Sequence, residues 1–166
     1  MNQLYETLIE VDADMTFYGQ LAESWEIPDE TTYVFHLRQG VKFHSGREMT
    51  ADDVVYTFDR ILGKTEAGDI GALGSYYGGV TAVEALDTYT VQFTLAEPNA
   101  AFLSTLTSNY GAIVDKDVIE ENGDLMRADG GTGPFTLGEW LPDNYVTITK
   151  FSDYWDADRV QLDGIT

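Results

Sequence analysis

The chain holds two histidines, His36 and His44, and no cysteine. Thiolate nucleophiles, thiolate metal sites and disulfides are therefore outside its chemistry. His36 shares a predicted strand face with Val34 and Arg38, and His44 falls at a predicted turn. Neither has partners at zinc-ligand spacing, so both read as structural hydrogen-bonding groups, with no metal site and no cofactor. No serine stands in a G-x-S-x-G elbow. Carboxylates are so numerous that a glycosidase-like pair would arise by number alone and carries no information. Asp153, Asp156, Asp158 and Asp163 suggest a calcium loop, but the Gly at position six and the Glu at position twelve are missing. Gly130-Gly131-Thr132-Gly133-Pro134 lacks the G-x-G-x-x-G and Walker spacings and leads into a strand, which makes it a tight backbone turn.

What remains is the chemistry of binding. Tyr76-Tyr77 lie in a glycine-rich stretch, and Asn109-Tyr110 lie between a helix and a short apolar segment. Rings and amides in loops at strand ends can stack on or hydrogen-bond a ligand; the alternative is that they pack beneath their own loops. Tyr76, Tyr77, Asn109 and Tyr110 are the candidate ligand-binding residues. Trp25, Trp140 and Trp155 sit on strands or just after one and read as core or rim packing.

The elements that would position these groups follow from periodicity. Residues 24–27 and 33–38 alternate about Pro28-Asp29-Glu30-Thr31, which predicts a hairpin with a loop of about four residues. Val41 and Phe43 resume the alternation, and Ser45-Gly46 turns the chain. Thr50 precedes Ala51-Asp52-Asp53, an N-cap with carboxylates in the first turn. Val54, Val55, Phe58, Ile61 and Leu62 follow at helical spacing, and Gly63 is the stop. Residues 63–79 read as a loop with one helical turn. Strands are expected over 80–86, 90–95, 111–114, 135–140 and 145–150, and helices over 100–106, with Asn99 as cap, and 117–126. Leu4, Tyr5, Leu8 and Ile9 make a helical pattern at the start. The class is α+β with a largely antiparallel sheet and flanking helices.

At 166 residues the chain is one domain, long enough to bury roughly 70% of its unfolded surface. Twenty-nine acids against nine bases give a net charge of −20, which excludes nucleic acid and anionic lipid as partners. The acids are dispersed, lysines number four, and Asp outnumbers Glu 17 to 12. This reads as adaptation to high salt, where self-repulsion is screened.

Three collinear segments carry a family resemblance: LAESWEI, YVFHLRQGVKFHSG and MTADDVVYTFDRIL. TVQFTLAEPNAAFLSTLTS with GAIVDKD, and GTGPFTLGEWLPDNYVTITKFSDYW, extend it over nearly the whole chain. In order and spacing these resemble solute-binding family 5, the dipeptide-, oligopeptide- and nickel-binding receptors of ATP-binding-cassette importers. The resemblance implies a subdomain, residues 1–166, of a two-lobed periplasmic-binding-protein-like (type II) receptor, with apolar patterns running out at both ends as in an excised fragment. It implies a monomer that captures a peptide, nickel complex or oligosaccharide outside the membrane and delivers it to an ABC permease. Its location would be the periplasm or the outer face of the membrane, with a lipid anchor in the full-length protein. No chemistry is done on the solute. The rival expectations are an acidic extracellular hydrolase domain and a structural cell-surface module. The charge reading predicts that the folded fraction, followed by far-UV circular dichroism, rises from dilute buffer to molar KCl; equal stability in both would count against it.

Overall fold

The computed structural model describes residues 3–65, 73–123, 125 and 128–166. Its centre is a four-stranded antiparallel sheet built of β3 (Ala22–Asp29), β4 (Thr32–Leu37), β5 (Val80–Asp87) and β6 (Thr90–Leu95), in the order β3-β4-β6-β5. Two smaller sheets flank it. One pairs β1 (Ile9–Val11) with β2 (Phe17–Gly19); the other joins β7 (Phe135–Leu141), β8 (Tyr145–Lys150) and β9 (Gly164–Ile165). The helices are α1 (Ala51–Ile61), α2 (Leu73–Tyr76), α3 (Phe102–Leu106) and α4 (Lys116–Asn122). The α+β class and the antiparallel pairing are as the alternation predicts.

Alternation sets the core. Tyr33, Phe35 and Leu37 on β4, and Val91, Phe93 and Leu95 on β6, are buried while their neighbours are not. Tyr33 faces Phe93 across the ladder and Phe35 faces Val91, so one sheet face is continuous apolar surface. Helix α1 covers it. Val54, Phe58 and Ile61 recur at helical spacing and are buried, and the Phe58 ring meets Phe93 edge-on at 4.8 Å.

Several expectations are corrected. The β3–β4 turn is tighter than four residues, since Asp29 still pairs with Thr32. Pro28 lies within β3, in the irregular register between Glu26 and Asp29, on an edge strand where a missing N–H is tolerated. The opening residues do not form a helix. Gly133 N donates to the Leu4 carbonyl and Phe135 N to that of Gln3, so distant strand-like partners claim this backbone. Residues 111–114 form no strand either: Asn109–Gly111 is a single 3₁₀ turn, and Ile113 N donates to the Glu6 carbonyl. The helix expected over 117–126 is Lys116–Asn122, capped by Asp115, with Asp117 in its first turn, and ended by Gly123 at φ 81°; Met126 lies outside the described residues, as does part of the 63–79 loop.

One ionic cluster joins three of these pieces. The Arg47 guanidinium donates to Asp53 Oδ1 at 2.5 Å and to Asp115 Oδ1 at 2.6 Å, and its Nε lies 3.1 Å from Asp117 Oδ2. Asp53 and Asp115 are fully buried. Asp53 Oδ2 also accepts from the Thr50 N–H at 2.9 Å, and Asp115 Oδ2 from the Ser45 hydroxyl at 2.6 Å. Burial opposes the charge on Asp115, yet the Ser45 and Arg47 bonds outweigh it and hold the carboxyl below its ordinary range. Arg47→Leu should destabilise the fold by about 3–5 kcal/mol, because it leaves two buried carboxylates uncompensated. Urea denaturation would measure this, and Arg47→Lys should recover little, since an ammonium cannot bridge both acids with a planar fork.

Candidate functional site

Tyr76 ends the short helix α2, and Tyr110 rises from the 3₁₀ turn that follows α3. Their rings meet edge-to-face at 5.8 Å. Both are open to solvent, Tyr76 at 46% and Tyr110 at 55%. The turn is held by the Ser108 side chain, which accepts from Tyr110 N, and by the Asn109 carbonyl, which accepts from Ala112 N at 3.3 Å. Asn109 is also exposed.

Tyr77 is different. It is 2% exposed, its ring stands edge-on to Phe58 at 5.3 Å, and its hydroxyl donates to the Thr105 carbonyl at 3.0 Å. Burial, reinforced by Tyr76, pushes the ionisation of that hydroxyl well up. A Cβ on Gly111 would stand 2.6 Å from the hydroxyl, so glycine is what lets the 109–111 turn close over Tyr77. The tyrosine pair predicted as a unit is thus divided: Tyr77 sits in the core and supports the loop, while Tyr76, Asn109 and Tyr110 form an exposed group.

Two of that group, Asn109 and Tyr110, border a concave space of about 710 Å³. Asn109 and Tyr110 form part of its wall; the rest includes Thr57, Arg60 and Ile61 from α1, and Tyr5, Ser108 and Val114. The α1 residues share one helix face, because 57, 60 and 61 are three and four positions apart. Sequence reading missed them. The available signal was Thr57 and Arg60 flanking the buried stripe of Val54, Phe58 and Ile61.

His44 and Glu6, away from this cavity, are held in internal hydrogen bonds. His44 Nδ1 lies 2.5 Å from Asp129 Oδ1, and its Nε2 lies 2.8 Å from the Gly133 carbonyl. A carbonyl can only accept, so Nε2 carries a hydrogen and offers no lone pair as a base. The buried Glu6 carboxylate accepts from Tyr154, Trp155 and Thr132 at 2.7, 3.1 and 3.0 Å. Burial pushes its ionisation up, and those three bonds act in the opposite sense. No group of three His, Asp or Glu side chains suited to a metal ion occurs among the described residues. What the exposed group can do is bind: two ring edges, an amide and hydroxyls beside an apolar cavity.

Residues 16–166 match the family described as bacterial extracellular solute-binding proteins, family 5 Middle. The chain belongs to that family. Among curated relatives, the di/tripeptide-binding protein 1 of Pseudomonas aeruginosa (strain UCBPP-PA14) is 35% identical over 87% of this chain and 31% of its own length. Among solved structures, the periplasmic binding protein AgaA in complex with agropinic acid, from A. tumefaciens R10, superimposes with a TM-score of 0.86 at 31% identity, covering 98% of this chain and 33% of that one. The periplasmic binding protein DppA from Helicobacter pylori in complex with peptide STSA gives 0.80 at 35% identity, covering 92% and 34%. The chain therefore spans about a third of the length of the relatives it matches.

For this family member the division of the tyrosines makes a direct prediction. Tyr77→Phe should lower stability by about 1 kcal/mol through loss of the buried hydroxyl's bond to Thr105. Tyr110→Ala should change it by less than about 0.5 kcal/mol, as an exposed loop residue does. Urea midpoints compare the two, and a larger loss at Tyr110 would place that ring among the supports of the fold.

Proposed function

We propose that this chain is one subdomain of a solute-capture receptor of an ABC importer, acting outside the cytoplasm, and that its Tyr76, Asn109 and Tyr110 face the solute. A peptide is the solute class that the relatives' names favour, since they include di/tripeptide-binding proteins and a peptide complex. The observation that carries the reading is the exposed Tyr76–Tyr110 ring pair beside Asn109, in a chain of family 5. Exposed rings of this kind give contact area at low entropic cost, and an amide adds directional hydrogen bonding.

Capture without chemistry is consistent with the way the ionisable groups are used. The buried carboxylates Glu6, Asp53 and Asp115 serve internal hydrogen bonds, and the His44 ring is capped at both nitrogens. An acidic hydrolase would need two carboxylates with separated ionisation and access to substrate, whereas the buried carboxylates Glu6, Asp53 and Asp115 are taken up by internal donors. The relatives are about three times this length. This chain alone supplies one wall, so its own affinity for a peptide should be weak, because most of the burial that drives binding would come from elsewhere.

Isothermal titration of the complete reading frame with a panel of di- and tripeptides tests the reading. Saturable binding that weakens about tenfold or more in Tyr110→Ala, a 1.4 kcal/mol effect, is the expected result. Peptide binding unchanged by Tyr110→Ala and Asn109→Ala together would remove this loop from the solute site. Tight peptide binding by the 166 residues alone would overturn the division of labour between this subdomain and the rest.

A further inference from the structure

Arg60 has no ion-pair partner among the described residues. It stands on the last turn of α1 and lines the cavity of about 710 Å³ together with Thr57 and Ile61. Its Nε is buried and has no hydrogen-bond partner. Five other bases, Arg38, Lys42, Arg47, Lys64 and Arg159, each meet a carboxylate, and Lys150 reaches the Val160 carbonyl. Among the described residues no carboxylate lies within ion-pair distance of Arg60. Its chain neighbour Asp59 is held by Lys64 at 3.4 Å. Glu120 on α4 is close enough to act on the Tyr56 hydroxyl, as Arg60 does from the other sign, but does not pair with the guanidinium. The Tyr56 hydroxyl is itself buried without a partner.

A guanidinium stays charged at any ordinary pH, and a buried donor with no acceptor is costly. A carboxylate matches its fork with two parallel hydrogen bonds. The rest of the wall describes the body that would carry the carboxylate. Ile61, Leu73 and Val114 are apolar, and the Tyr5 and Tyr110 rings flank them. The volume lies in the range of small-molecule sites, and the pattern of an apolar lining with a few polar groups is theirs too. The net charge of −20 repels multiply charged anions more than singly charged ones.

We propose that this cavity binds a small amphiphilic monocarboxylate, with its carboxylate on Arg60 and its apolar body against Ile61, Leu73 and Val114. The site stands on the chemistry of the cavity and not on peptide capture. If the longer protein fails to bind peptides, the cavity's chemistry is untouched; if no carboxylate binds here, the capture reading is untouched.

The test is a ¹⁵N-NMR titration of the 166-residue chain with N-acetyl-L-phenylalanine and, separately, with its neutral amide. The acid should bind saturably, with a Kd on the order of 1 mM, as one ion pair and one ring would give. Shifts should centre on 57–61 and 108–110, and the amide should bind at least about tenfold more weakly. Arg60→Gln should abolish the preference for the acid, and Arg60→Lys should keep part of it. Equal binding of acid and amide overturns the proposal, as does undiminished acid binding in a folded Arg60→Gln variant or the absence of saturable shifts. Should Arg60→Gln not fold, the acid–amide comparison on the unaltered chain decides.

Discussion

Arg47 holds two buried carboxylates, and through them the starts of two helices. Asp53 lies in the first turn of α1, and Asp115 is the N-cap of α4. A buried carboxylate without a partner would ionise poorly and destabilise its surroundings. With the guanidinium between them, both have a cationic partner and take backbone or side-chain donors at the same time. The Arg47 side chain also lies over the Phe43 ring, 5.0 Å from its centroid, so the 42–48 turn, α1 and α4 form one unit. The face of α1 that closes the cavity is oriented by this contact, since the helix start and its roll over the sheet are fixed together.

A second crossing ties the early and late residues. The N-terminal segment runs against the 131–135 backbone so closely that a Cβ on Gly131 would stand 1.8 Å from the Leu4 carbonyl oxygen. Only glycine admits that approach, which is the physical content of the Gly-Gly-Thr-Gly run. Glu6 then collects hydroxyl and indole donors from Thr132, Tyr154 and Trp155, and Arg38 stacks over Trp155 at 4.6 Å. Tyr5, one residue earlier, is thereby placed on the cavity wall. The wall is assembled from segments a hundred residues apart, and the two clusters hold those segments in register.

The surface charge and the cavity work in opposite senses. Acids dispersed over the exterior make the mean field negative, and most bases are consumed in local pairs with them. Arg60 escapes that pattern because its helix face turns toward the concavity. Of the two exposed tyrosines Tyr110 borders the same cavity and meets the Tyr76 ring, and the turn that carries it rests on Tyr77 and on the absence of a side chain at Gly111. Exposed rings beside a partly apolar hollow are a geometry that can hold small molecules.

Local pattern determined a good deal by itself. The alternation in β4 and β6, Thr50 before α1, and Gly63 after it were readable because each depends on residues within a few positions. The family was readable too, since its collinear segments lie in the chain whatever its fold. Of the four candidate residues, Tyr76, Asn109 and Tyr110 reach the surface as a group. Tyr77 could not be separated from Tyr76 in advance, because burial of adjacent loop residues depends on what lies beneath them. The same holds for the N-terminal segment, whose helical spacing lost to backbone partners near residue 133, and for residues 111–114, whose apolar run serves packing without a ladder. Arg47, Glu6 and Arg60 looked alike in sequence, as ordinary charged residues. Only tertiary structure decided that one is an ionic bridge, one a buried acceptor and one a cation on a cavity wall, because charge acquires meaning from burial and from partners that sequence distance does not reveal.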